Sequence, residues 1–67
     1  MTKPMIQWYI TYTVVAPDEE VVIKDGVTSV WGQTELVAGT RLRMYLASSH
    51  GIDETYKVII ERIDEIV

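Results

Sequence analysis

Residues 5–15 read MIQWYITYTVV, and their alternation decides the fold. Ile6, Trp8, Ile10, Tyr12 and Val14 share one parity; Gln7, Tyr9, Thr11 and Thr13 share the other. Strand side chains repeat with a period of two, so this run predicts a half-buried β-strand with one strongly apolar face. The strand is long for a small domain, and it contains no catalytic residue pattern.

Working outward, Pro17 to Glu19 reads as a connection, because proline fixes φ and aspartate favours turns. Two β-branched runs follow, EVVIK at 20–24 and VTSVW at 27–31, with Asp25-Gly26 between them. Asp-Gly in that setting favours a type I′ hairpin. The competing reading keeps residues 20–31 as one strand with Gly26 at a bulge. The hairpin is the favoured reading.

Gly32-Gln33-Thr34 breaks the strand pattern, and Thr34 has the chemistry of a helix N-cap with Glu35 well placed in the first turn. Ala38, Leu42, Tyr45 and Leu46 recur at three and four, an apolar helical stripe, while Arg41, Arg43 and Ser48 fall off it. Gly39 lowers helix propensity and would permit a close approach to the sheet. His50-Gly51 suits a helix C-terminus. Residues 55–67, TYKVIIERIDEIV, fit either a helix capped by Asp53 or a strand. Strand is favoured by the β-branched content, with Ile63 and Ile66 marking a bulge or a final turn. The expectation is a single α+β domain over 1–67: a small antiparallel sheet of three or four strands with one helix on one face, ordered β-β-β-α-β or β-β-α-β.

A 67-residue chain with no cysteine and one histidine has no disulfide, thiolate zinc site or histidine cluster to stabilise it. Packing or oligomerisation must do so. No apolar run approaches a membrane span and no targeting segment is visible, so a cytoplasmic location is expected. The formal net charge is −4. Residues 16–31 and 51–67 each carry about −3, while 32–50 is mildly basic. A phosphate-backbone binder carries a basic footprint, which argues against nucleic acid as a direct ligand.

Candidate chemistry is sparse. His50 lies near Ser48, Ser49 and Asp53, but sequence neighbours at a helix end cap and solvate far more readily than they form a triad. Asp18-Glu19-Glu20 lacks the ligand spacing of a cation loop. Arg41 and Arg43 stand two apart on a helix and share no face. The glycines are scattered rather than forming a phosphate loop. So short a chain also has little room for a ligand pocket of several hundred Å3. No catalytic residue, cofactor or metal is expected.

Two functional expectations follow. The first is a non-catalytic acidic binding protein, an inhibitor or adaptor. Asp18, Glu19, Glu20, Asp25, Glu61, Asp64 and Glu65 would contact a protein partner with a basic surface. In size and acidity the chain resembles the DNA-mimic inhibitors that phages use. That resemblance implies masking of a partner's nucleic-acid-binding site. The second is a homo-oligomeric structural or assembly subunit built through the long first strand. Gln7, Tyr9, Thr11 and Thr13 would then form a homodimer face, tyrosine being enriched at interfaces.

Overall fold

A computed structural model describes residues 4–66; Met1, Thr2, Lys3 and Val67 lie outside it, the last being the end of the segment expected as a strand. The order is β1 (Ile6–Val15), β2 (Val21–Gly32), α1 (Glu35–His50) and β3 (Lys57–Glu65). The three strands form one antiparallel sheet in the order β2-β1-β3. β1 is therefore central, and β2 and β3 run parallel to each other on its two sides. A chain with alternating hydrophobicity and one helix can hide only one sheet face. Here the helix covers that face as the β-β-α-β version of the expected fold.

The apolar parity of β1 becomes the core. Trp8, Ile10, Tyr12 and Val14 are buried with Ala38, Leu42 and Leu46 from the helix and Ile52 beyond it. Ile6, Ile23, Val30, Tyr56, Val58, Ile60 and Ile63 pack around them. Burying a large apolar side chain contributes roughly 1.5–3 kcal/mol. The indole N–H of Trp8 reaches the Gly32 carbonyl at 3.0 Å, which satisfies the one polar atom that this ring brings inside. Tyr45 departs from the expected stripe. It sits at the margin of the helix, exposed, with its ring edge-on to His50 at 5.7 Å between centroids. Ile52, just beyond the helix, is buried in the core instead.

The helix has the expected ends. The Thr34 hydroxyl accepts the Val37 N–H at 3.2 Å. Gly51 closes the other end at φ 65°, a left-handed conformation that an L side chain adopts only at a cost. Gly39 is buried over Ile60, as its small size suggested.

The Asp25-Gly26 hairpin does not form. Asp25 takes φ 52°, but Gly26 stays in the extended region, and β2 runs on through both. The reversal occurs instead at Ala16–Glu20, where the Ala16 N–H bonds the Glu20 carbonyl at 2.7 Å and Glu19 turns at φ 70°. The reason is length. β1 offers ten residues of hydrogen-bonding edge, enough to pair the whole of β2. The two extra residues are absorbed at two slips of register, one a bulge opposite Thr13 and one between Val14 and Val15. A second bulge interrupts β3 between Ile60 and Arg62, which keeps Ile60 and Ile63 on the covered face. That is the break in alternation that the spacing of Ile63 signalled.

Among the described residues, no helix is long and apolar enough to cross a membrane.

Candidate functional site

The second parity of β1 lies on the face without a helix. Register places its neighbours row by row. Gln7 has Trp31 on one side and, through the Ile66 N–H bonded to its carbonyl at 2.8 Å, Ile66 on the other. Tyr9 lies between Ser29 and Asp64; Thr11 lies between Val27 and Arg62. Tyr9 is 47% exposed, Val27 50% and Trp31 53%. Trp31 was not singled out by the sequence. Its pairing with Gln7, which the structure supplies, is what turns it outward.

The four residues expected on this face are all there, but they are not equivalent. Gln7 donates to Ser29 Oγ at 3.3 Å. The Thr13 hydroxyl is fully engaged: it donates to the Glu61 carboxylate and accepts the Asp25 N–H at 3.3 Å. Asp25 and Glu61 are the bulge residues of the two flanking strands, so one hydroxyl ties both bulges to the central strand. Thr13 is a brace. Tyr9 and Thr11 are left to present the surface.

The expected acidic contacts divide by position. Asp18, Glu19 and Glu20 form the β1–β2 turn, where Asp18 Oδ1 accepts the Glu20 N–H at 3.1 Å. Asp25 and Glu61 flank Thr13 at the same end of the sheet. Lys57 pairs with Val15, so the loop before β3, carrying Asp53 and Glu54, returns to this end as well. Those two acids were missed because Asp53 reads as a helix cap and Glu54 has no local role, and the return of β3 to this end is a tertiary feature. Thr55 donates through its hydroxyl and its N–H to Asp53, holding that carboxyl below the usual range. Asp64 and Glu65 lie toward the other end, opposite Tyr9 and Trp8. Asp64 accepts from Arg62 Nε at 2.5 Å, on an exposed pair that leaves little net charge there. Five of the expected acids thus share one end of the molecule, and two do not.

The helix leans over β2, leaving the covered side of β3 partly open. A solvent-open groove of about 480 Å3 runs there, between Met44 and Ala47 on the helix and Ile52, Tyr56 and Val58. The chain was expected to have little room for such a volume; an open groove forms all the same, because the helix is one element wide and cannot roof three strands. His50 stands at the end of the helix with Tyr45, and Ser48 donates back to the Tyr45 carbonyl at 3.2 Å. No group of three or more histidines and carboxylates among the described residues could hold a metal ion. Burial raises the Tyr12 hydroxyl above its ordinary pKa, with Tyr45 adding to the effect.

The chain matches no family model, no curated protein and no solved structure.

Proposed function

We propose that this chain is a non-catalytic acidic binding protein, an inhibitor or adaptor that masks a basic, nucleic-acid-binding surface of a partner protein. The observation that carries the reading is the uncovered sheet face. Tyr9, Val27 and Trp31 stand exposed on it, and the acidic end of the sheet adjoins it. Aromatic side chains at the centre of a contact supply most of its energy, while rim carboxylates govern encounter rate and choice of partner. Asp18, Glu19, Glu20, Asp25 and Glu61 would stand where a phosphate backbone otherwise lies. Asp64 and Glu65 would add contacts at the far end. The partner is a protein; neither nucleic acid nor a membrane is a direct ligand in this reading.

The test captures binding proteins on the immobilised chain and challenges each captured protein with duplex DNA. A true target binds the duplex alone and releases it when the chain is added. Binding to the chain weakens steeply as salt rises, because exposed charges are screened beyond about 10 Å at 0.1 M salt. The Asp18→Asn, Glu19→Gln, Glu20→Gln variant should bind more slowly with a flatter salt dependence. Trp31→Ala should weaken binding by about tenfold or more, a loss of over 1 kcal/mol. Unchanged affinity and salt slope in the triple variant would sink the charge-masking reading.

A further inference from the structure

The expected oligomer through β1 has no edge to use, because β2 and β3 occupy both sides of that strand. The free edges belong to β2 and β3, and they differ. β3 carries Lys57, Glu61, Arg62, Asp64 and Glu65 and is broken by a bulge. Charges and bulges are the usual devices that stop a sheet edge from pairing with another chain. The lower part of β2 is protected likewise, by Lys24, Asp25 and two irregularities in register. The upper part, Gly26–Gly32, has none of these devices. It reads GVTSVWG, is extended throughout, pairs with β1 without a slip, and contains no charge and no proline.

We infer that Gly26–Gly32 is a self-pairing edge, and that a second copy of this chain adds to it antiparallel, giving one continuous sheet across the dimer. The occupant is argued from the sequence of the edge itself. A two-fold axis through Ser29 sets Thr28 against Val30 of the second copy, Val27 against Trp31 and Gly26 against Gly32. Both Val27–Trp31 contacts are aromatic on β-branched, a favourable cross-strand pair. The small residues meet at the two ends, and no charge opposes a like charge within the run. An isologous contact needs such self-complementarity, which the charged and bulged edges of this sheet lack. On the other face, Val37 lies against Gly32 and shares its helix side with Arg41 and Tyr45. Val37 and Tyr45 are exposed, and the same axis brings the two helices side by side over the joined strands. An acidic chain repels its own copies, so the contact has to lie where charge is absent. The strand meets that condition, and the charge that the helices bring near the axis, Arg41, is opposite in sign to the chain's net charge. The open faces of both copies then lie on the same side, which doubles the surface offered to a partner without relying on the partner-masking reading.

Light scattering across a wide concentration range should give twice the 7.7 kDa chain mass, and hydrogen exchange should show residues 26–32 protected in the dimer. Ser29→Lys sets two ammonium groups face to face at the axis and should return the mass to one chain. Opposed cross-strand Cβ atoms lie about 4.5–5.5 Å apart, near the 3.5–4.5 Å of a disulfide. The chain has no cysteine of its own, so Ser29→Cys should cross-link on oxidation while Ser49→Cys at the helix end stays single. Tyr9→Lys, on the open face but one strand in from the edge, should leave the dimer intact. A wild-type chain that stays single at high concentration overturns the inference. So does a dimer that Tyr9→Lys dissolves and Ser29→Lys spares, since that contact would be face to face.

Discussion

The two halves of β2 share one strand, one partner strand and one helix, yet they are built on opposite rules. From Val21 to Asp25 the strand slips register twice against β1, carries charge, and lies beside the acidic β1–β2 turn. From Gly26 to Gly32 it is smooth, uncharged and ends in an outward Trp31. The bulged half spoils its edge and offers charge to solvent. The smooth half offers hydrogen-bonding backbone and apolar side chains. The difference gives one strand two kinds of edge, one that resists pairing with another chain and one that does not.

Both halves depend on the same core, and a core change should abolish their difference altogether. Leu42 is fully buried under the helix, facing the sheet. Leu42→Ala should cost about 2–5 kcal/mol through lost burial and the cavity left behind. A chain this size has little more than that to lose. Thermal unfolding followed by far-ultraviolet and tryptophan signals should show one transition at a much lower temperature. If Trp31 reported a separate, unshifted transition, the smooth half would have stability of its own.

Gly26 is the junction between the halves. A Cβ there would stand 2.8 Å from Ile23 Cγ2 and 2.9 Å from the Tyr12 ring. Both neighbours belong to the packed layer, so neither yields freely. Gly26→Ala should cost about 1–3 kcal/mol by overpacking. Denaturant melts measure it directly. A loss below a few tenths would mean that the junction relaxes, and that the register of one half is not fixed by the other.

The legible parts of this fold are those where one periodicity acts alone. Ile6 to Val14 and the capped helix from Thr34 to Gly51 fall into place because side-chain spacing and local backbone preference agree. Asp25-Gly26 did not, since a turn signal was outweighed by the long edge of β1, a tertiary fact. Tyr45 left the expected stripe for a similar reason: which margin of a helix is covered depends on where it crosses the sheet. The site was legible by residue type but not by assembly. Tyr9 and the acids of the first turn stand where expected, whereas Asp53 and Glu54 join them only through the return of β3. Trp31 faces outward only once the β1–β2 register is known.

Thr13 and Thr11 allow the contrast between the halves to be read one row apart. Thr13 lies level with the bulges, its hydroxyl bonded to Glu61 and to the Asp25 backbone. Thr11 lies in the smooth half, between Val27 and Arg62. Valine has nearly the shape of threonine, so the substitution tests the hydroxyl. Thr13→Val should lose about 1 kcal/mol, the net worth of partly exposed hydrogen bonds. Thr11→Val should be neutral or slightly stabilising, because it keeps the β-branched shape and sets a methyl in place of the hydroxyl against Val27. Paired denaturant melts, with hydrogen exchange at Asp25 and Glu61 as the local readout, decide between them. Equal effects at both positions would mean that the bulges hold themselves without the brace. The charged edge would then owe its shape to the chain on either side of Asp25 and Glu61, and Thr13 would return to the face it shares with Tyr9.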